Sequence, residues 1–294
     1  MSDAPVPRER AWARAWALVA AGLLAATITA CAPRNGAAVV AVPVAGGNSP
    51  PMPPLPAAEA HIDPTALTAA GLLAERDGAT ALLVARNGHI VYEHYWHGTA
   101  FRSPIEAGAW QGVIDDLLAG ALADDRKPLH ADSTPGRAQI AAAAGVAYES
   151  YLSKRLWRPL GAYDATLAPD LRAAQGDWIR LGELLANDGV YLGEELVRPG
   201  WVARVLARHG CAAEDATPGL APDLCRLPGA NAASLWVAPS LRLVILRTGG
   251  APGPTRDATD ARMVDAILRG LTDRPGARPP GEGLPDPATL VPAH

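Results

Sequence analysis

The sequence ALLVARNGHIVYEHYWHG, residues 81–98, has the pattern of a β-hairpin. Residues 80–86 and 89–96 are rich in β-branched and aromatic residues, and the pair Asn87-Gly88 lies between them. Asn-Gly favours a two-residue hairpin turn, because both turn positions need a positive φ. We therefore predict two antiparallel strands that are joined at Asn87-Gly88.

Further elements are predicted on either side of this hairpin from capping residues and apolar periodicity. They are a helix from Asp63-Pro64 to about Arg76, a helix over residues 177–187, a second hairpin over residues 234–238 and 241–248, and a closing helix over residues 257–271. The order helix, hairpin, helical middle, hairpin and helix is typical of an α+β fold. In such a fold the two terminal hairpins can share one antiparallel sheet.

The composition is that of a folded protein without a nucleic-acid-binding surface. Of the 294 residues, 49% are hydrophobic and 19% are charged, which excludes an intrinsically disordered chain. The formal net charge of −4 leaves no basic excess for binding phosphate groups, so we expect no nucleic-acid partner. Only two of the 26 basic residues are lysines, Lys127 and Lys154, so any lysine-dependent motif must include one of them.

The first thirty residues have the features of an export signal. Three arginines precede an uncharged run over residues 15–30, which is shorter than the ~20 apolar residues of a membrane-spanning helix. The run leads into ITAC, residues 28–31, which resembles a bacterial lipobox. We predict that residues 1–30 are a lipoprotein signal peptide and that Cys31 is acylated. Ordinary secretion, with Cys31 incidental, is the alternative.

Acylation of Cys31 would attach the mature protein to a membrane. Ala32 rather than Asp follows Cys31, which favours the outer membrane over the inner one in a Gram-negative cell. We therefore expect a periplasm-facing lipoprotein of the bacterial cell envelope.

The two remaining cysteines, Cys211 and Cys225, are expected to form a disulfide in that oxidising environment. A metal or reactive-thiol role is disfavoured, because no histidine lies between them and neither belongs to a C-x-x-C motif. Closing a loop of about 15 residues would stabilise the fold by roughly 3 kcal/mol in the entropic description of disulfides.

Proline-rich segments flank the predicted domain. Residues 31–60 contain seven prolines without a helical or strand period, and they are predicted to be a Pro/Ala-rich tether. Residues 273–294 contain six prolines and are predicted to be a loose tail. Residues 61–272 are then one domain of ordinary size.

Four stretches show, in order, a resemblance to one family. They are ALLVARNGHIVYEHYWHG (81–98), YLSKRLWRPLGAYDAT (151–166), DWIRLGELLANDGVYLGEELVRPGWV (177–202) and SLWVAPSLRLVILRTGG (234–250). Together they resemble the β-lactamase-related serine hydrolases, the group of class C β-lactamases, penicillin-binding proteins and esterases, and especially its 6-aminohexanoate-dimer-hydrolase-like branch. The resemblance implies a β-lactamase/transpeptidase-like fold: an antiparallel sheet flanked by terminal helices, an inserted helical region that is shortened here, and a groove between them.

The catalytic positions that the resemblance implies are empty. The family uses a Ser-x-x-Lys motif at the start of a buried helix, in which the lysine amine activates the serine. Counted without a gap from the Asn87-Gly88 turn, this motif falls on Ala109-Trp110-Gln111-Gly112. Neither lysine of the chain has a serine three residues before it, and no G-x-S-x-G elbow is present.

The two other motifs of the family are also missing. Residues 121–144 are too short for the usual loop with its Tyr-x-Asn or Tyr-x-Ser, and Tyr148 and Tyr151, each followed two positions later by serine, are interpreted as residues of a helix face. Residues 229–233, GANAA, stand where the Lys-Thr-Gly or His-x-Gly strand start is expected. Arg247-Thr248-Gly249 imitates Lys-Thr-Gly, but it is predicted to end a strand.

Other polar residues receive ordinary interpretations. A metal site at His89, His94 and His97 is disfavoured, because His94 and His97 differ in strand parity and point to opposite faces. Asp115-Asp116 and Asp124-Asp125 are interpreted as solvated charges, since adjacent helix residues do not share a face. We expect no metal and no cofactor.

The function predicted from the sequence is that of a lipid-anchored, catalytically inactive serine-hydrolase homologue. Such a protein would bind a peptidoglycan peptide or an envelope protein in the old groove through Trp110, Gln111 and Asn231, although packing is the favoured role for Trp110. The rival hypotheses are an active hydrolase with a non-standard nucleophile, such as Ser103 or Ser133, and a decayed gene whose shortened domain does not pack.

Overall fold

The computed structural model describes residues 40–125, 127, 129, 134–211 and 221–273. The predicted signal peptide, Cys31, Ser133 and residues 274–294 of the predicted tail lie outside the described residues. Within the described ranges, no helix is long and apolar enough to cross a membrane.

The described chain contains seven α-helices and eleven strands. The helices are α1 (Pro64–Arg76), α2 (Trp110–Asp124), α3 (Arg137–Ala144), α4 (Tyr148–Leu152), α5 (Gln175–Ala186), α6 (Trp201–Arg208) and α7 (Pro254–Arg269). The strands are β1 (Val42–Val44), β2 (Ala79–Arg86), β3 (His89–Tyr95), β4 (Pro104–Glu106), β5 (Ala165–Leu167), β6 (Leu171–Ala174), β7 (Val190–Tyr191), β8 (Glu194–Glu195), β9 (Cys225–Pro228), β10 (Ser234–Ala238) and β11 (Leu243–Gly249).

The two predicted hairpins form one antiparallel sheet, which confirms the α+β prediction. Asn87 and Gly88 have φ values of 52° and 80°, as the two-residue turn between β2 and β3 requires. β2 pairs with β11, so the sheet has the order β3-β2-β11-β10-β9. The helix predicted from Asp63 is α1, and the Asp63 carboxylate accepts the backbone N–H of Thr65 at 2.9 Å.

The sheet has apolar residues on both faces, because successive side chains of a strand point to opposite sides. On one face, Leu82 and Val84 of β2 join a cluster with residues of α1 and α7. On the other face, Leu83 and Ala85 join a larger cluster with residues of α2 and α5. Helix α2 therefore lies in the interior, and 12 of its 15 residues are buried.

The prediction of a tether over residues 31–60 is wrong from residue 41 onward. β1 pairs with β5 at the edge of a second sheet, of order β1-β5-β6-β4, and Val44 is only 1% exposed. The guanidinium of Arg180 also donates a hydrogen bond to the backbone oxygen of Ser49 at 3.1 Å. A three-residue strand is too short to show a period, and proline is tolerated at a sheet edge, so the sequence pattern did not reveal this packing.

The end of the domain is joined to its middle by covalent and ionic contacts. The disulfide between Cys211 and Cys225 is confirmed, and it connects the segment after α6 to β9. Asp273 forms a 2.9 Å ion pair with Arg86, so the first residue of the predicted tail still contacts the domain.

Candidate functional site

Ala109 lies at the exposed start of the buried helix α2, where the resemblance places the nucleophile. Its φ of −64° and ψ of −20° continue the helical backbone by one residue before Trp110. A methyl group at this position offers no hydroxyl for covalent catalysis. The position expected for the motif therefore lies at the start of this helix, and the side chain of Ala109 carries no hydroxyl.

The space beside Gly112, the position expected for lysine, is filled by the ring of His209. A Cβ atom on Gly112 would lie 2.9 Å from Cε1 of His209, which is closer than real Cβ contacts allow. The backbone of Gly112 is helical, so it is space and not a positive φ that requires glycine here. A lysine at this position needs a displacement of His209.

The ring of His209 is held in place by Asp116. Its Nε2 lies 2.8 Å from Oδ2 of Asp116, whose side chain is fully buried. Thr134 donates its hydroxyl to the same oxygen at 2.9 Å, and Arg208 forms an ion pair with the other oxygen. Burial by itself raises the pKa of Asp116, but the hydrogen bonds from His209 and Thr134 and the charge of Arg208 bring this pKa below its ordinary value.

Helix α6 covers this whole face of α2. Gly112, Asp116 and Gly120 are spaced by four residues and so lie on one side of the helix. A Cβ on Gly120 would lie 2.6 Å from the ring of Trp201, and the indole N–H of Trp201 donates to the backbone oxygen of Asp116 at 2.9 Å. The two glycines allow α6 to approach closely over the face from which a lysine at 112 would project.

Trp110 packs in the interior. It is 1% exposed, its indole N–H donates to the backbone oxygen of Leu227 at 2.9 Å, and its ring fills the space beside Gly229. The packing role is therefore the one that the geometry supports. Asn231 is exposed and lies in the turn after Gly229 with a φ of 50°.

Gln111 is also enclosed, so of the three predicted binding residues only Asn231 presents its side chain to solvent. The Gln111 amide donates to Asp115 at 3.1 Å and to the hydroxyl of Tyr148 at 2.8 Å, and it accepts the backbone N–H of Leu171 at 2.9 Å. Both N–H groups and the oxygen of this side chain are therefore engaged inside the protein.

The interpretation of Asp115 and Asp116 as solvated charges is wrong, because both side chains are buried. Burial raises the pKa of Asp115, and the short contact with Tyr148 lowers it only in part. The pKa of Tyr148 is raised far above its ordinary value by burial and by Asp115, so its phenol stays protonated. Asp124 and Asp125 at the far end of α2 are exposed, as predicted.

Two loops meet where a substrate groove is expected. A Cβ on Gly108 would lie 2.6 Å from the backbone nitrogen of Ala230, so the loop before α2 touches the loop over residues 229–233. Of four cavities lined by described residues, none is lined by Ala109, Gly112 or Ala230. The largest of them, about 610 Å³, lies between α7 and the strands β9 and β10.

The remaining candidates have structural roles. Arg247, Thr248 and Gly249 are the last three residues of β11, so they end a strand, as predicted. The Arg247 side chain is fully buried and pairs with Asp77 at 2.7 Å. The hydroxyl of Ser103 accepts the backbone N–H of Ala100 at 2.9 Å within a turn. In the part of the chain that the structure describes, no group of three or more His, Cys, Asp or Glu residues is arranged to hold a metal ion.

Two solved structures with a similar fold are described as hydrolases. A protein from Bacillus anthracis assigned as a 6-aminohexanoate-dimer hydrolase aligns with a TM-score of 0.59 at 13% identity, over 81% of this chain and 92% of its own. EstCE1, a hydrolase with promiscuous acyltransferase activity, aligns with a TM-score of 0.54 at 10% identity, over 69% and 99%. The chain therefore has the β-lactamase-like serine-hydrolase fold. No protein-family model and no curated protein matches its sequence.

Asp116 and His209 were not paired from the sequence. They are 93 residues apart, and nothing local to His209 indicates a partner. The one available signal was the position of Gly112 and Gly120, two glycines eight residues apart on the side of the helix that also carries Asp116, since glycines on one side of a helix allow close packing there.

Proposed function

We propose that this chain is a β-lactamase-like protein of the bacterial cell envelope that forms no acyl-enzyme and acts by binding a peptidoglycan peptide. The observation that carries the proposal is the occupation of the catalytic positions: Ala109 has no hydroxyl, and His209 fills the space at Gly112. The short uncharged run and lipobox before Cys31 support anchoring through a lipid on that residue.

An active hydrolase with another nucleophile is the second candidate, and the Asp116–His209 pair is the observation that favours it. A carboxylate that orients an imidazole is a common arrangement for general base catalysis. Ser133 precedes Thr134, whose hydroxyl contacts Asp116, although Ser133 itself lies outside the described residues.

The two candidates are separated by the intact mass of the mature protein after exposure to a fluorophosphonate and, separately, to a penicillin. We expect the mass to stay unchanged with both reagents while the protein remains folded. A stoichiometric adduct would overturn the non-acylating function. The variants Ser133→Ala and Ser103→Ala would then identify which hydroxyl had reacted.

Binding is tested by sedimentation with purified peptidoglycan sacculi. Asn231 is the predicted binding residue with an exposed side chain, and Asn231→Gly removes that side chain while still allowing the positive φ. We expect this variant to sediment less than the unchanged protein, and His97→Gly, at an exposed position after β3 with a φ of 54°, to sediment equally. A folded protein that stays in the supernatant would rule out this ligand.

A further inference from the structure

The direction of the His209 ring follows from its contacts. Cε1 lies over Gly112, and Nε2 faces Asp116, one helical turn toward the end of α2. The two ring nitrogens flank Cε1 and point in nearly opposite directions. Nδ1 is therefore turned toward the start of α2.

Ala109 is the residue at that end of the same helix face. It keeps helical φ and ψ values, so it stands one turn before Gly112, and residues three apart on a helix have Cβ atoms about 5–6 Å apart. Ala109 is exposed, whereas the His209 side chain is 18% exposed. No side chain or backbone group of the described residues forms a hydrogen bond with Nδ1.

The hydrogen bond with Asp116 determines which nitrogen of the His209 ring carries the proton. The buried carboxylate of Asp116 is charged and only accepts hydrogen bonds, so the proton between the two groups belongs to Nε2. In the neutral ring Nδ1 then carries a lone pair. This is the tautomer that a proton acceptor needs.

We propose that Asp116 and His209 form a proton-accepting site for a hydroxyl group placed beside Ala109, so that the variant Ala109→Ser would react with phosphonyl donors. The base differs from the lysine implied by the sequence resemblance, and it comes from the residue that directly follows α6 instead of from α2. In the unchanged protein the hydroxyl would be supplied by water or by a ligand.

Ala109→Ser supplies the hydroxyl within the chain. With a fluorophosphonate, the serine oxygen forms a bond to phosphorus, the bond between phosphorus and fluorine breaks, and fluoride leaves. The hydroxyl proton passes to Nδ1 of His209 and then to solvent. The product is one phosphonyl group per protein, on Ser at position 109.

The matched variants are Ala109→Ser, Ala109→Ser with His209→Gln, and Ala123→Ser, which places a serine near the other end of α2. We expect Ala109→Ser to be labelled at least about 100-fold faster than Ala109→Ser with His209→Gln, since about 100-fold is the lower end of the rate effect of a positioned proton acceptor. We expect Ala123→Ser to stay unlabelled. A folded Ala109→Ser protein that is unlabelled, or that is labelled no faster than its His209→Gln partner, would overturn the proposal.

A second measurement uses the unchanged protein. Long-range ¹H–¹⁵N spectra report which nitrogen of His209 carries the proton, and we expect it on Nε2 with Nδ1 unprotonated. A proton on Nδ1 of the neutral ring would overturn the proposal as well. An adduct on the unchanged protein would contradict the non-acylating function and would leave the comparison of the two Ala109→Ser proteins to decide this inference.

Discussion

Cε1 of His209 lies 2.9 Å from the point that a Cβ atom on Gly112 would occupy. This contact joins helix α2 to the segment after α6, although the two residues are 97 positions apart in the sequence. Because Asp116 holds the ring through Nε2, the histidine cannot turn aside without losing a partly buried hydrogen bond.

Gly112→Ala should destabilise the protein by about 1–3 kcal/mol, the usual cost of overpacking. The loss should be smaller when His209→Ala is present as well, since removal of the ring frees the space. Gly136→Ala is the control, because its nearest neighbour would be the Gln139 side-chain oxygen at 3.7 Å. The coupling is measured by urea unfolding of the unchanged protein, Gly112→Ala, His209→Ala and the double variant. If Gly112→Ala costs the same free energy of unfolding with and without the His209 ring, the contact is contradicted.

A lysine introduced at position 112 should not act as the base for a serine at position 109. Ala109→Ser with Gly112→Lys should be less stable than Ala109→Ser alone, and its reaction with a fluorophosphonate should be no faster, because the new side chain displaces His209. Labelling rates and melting temperatures of the two proteins check this. A faster reaction in the double variant would mean that the lysine is accommodated.

Stability should fall as the pH rises through neutrality because of Glu183. Its side chain is fully buried on α5. Burial raises the pKa of Glu183 to about 7, although a hydrogen bond from Asn187 lowers this pKa in part. The native state therefore holds this proton more tightly than the unfolded chain does. The contribution is fully present below pH ~4.5, the ordinary glutamate value, and is lost as the pH rises through about 7.

Glu183→Gln should reduce this pH dependence and stabilise the protein at pH 8, while Glu195→Gln, at an exposed position, should not. Asp177, whose pKa burial raises to about 6, contributes with the same sign and remains in both variants. Unfolding free energies between pH 4 and pH 9 measure the slopes. Identical slopes for the unchanged and Glu183→Gln proteins would show that this carboxyl does not titrate in the native state.

Loss of the disulfide should weaken both the fold and the His209 site. Cys211→Ser with Cys225→Ser removes a crosslink worth roughly 3 kcal/mol in the entropic description, and it frees the chain two residues after His209 from β9. We expect a lower melting temperature and a smaller share of the Nε2-protonated tautomer. A reducing agent should act on the unchanged protein in the same direction and leave the double variant unaffected.

A protein that begins at residue 61 should be less stable than one that begins at residue 41. The shorter chain loses β1 with Val44, and it leaves Arg180 without the backbone oxygen of Ser49. Thermal unfolding compares the two, and equal melting temperatures would restore the view of residues 41–60 as a tether. Removal of residues 31–40 alone should have no comparable effect.

Cys31→Ala should abolish attachment to the membrane. The lipid is expected on this side chain, so the variant should move from the detergent phase to the aqueous phase in a two-phase extraction. Retention of the variant in the detergent phase, at equal expression, would point to another means of attachment.

Several elements could be predicted because their causes are local. Asn87-Gly88 imposes positive φ angles, Asp63 caps α1, and the strands of both hairpins have a recognisable pattern within a few residues. The lack of a hydroxyl at Ala109 and of an amine at Gly112 is likewise a property of the sequence, since folding does not change the chemistry of a side chain.

Tertiary structure alone decided what occupies that site. Asp115 and Asp116 look like solvated charges because their partners, Tyr148 and His209, come from segments 33 and 93 residues away. β1 looks like part of a tether because its pairing partner β5 lies more than a hundred residues further on. Local patterns report the conformation of a segment, whereas burial and proton transfer depend on which distant segments pack against it.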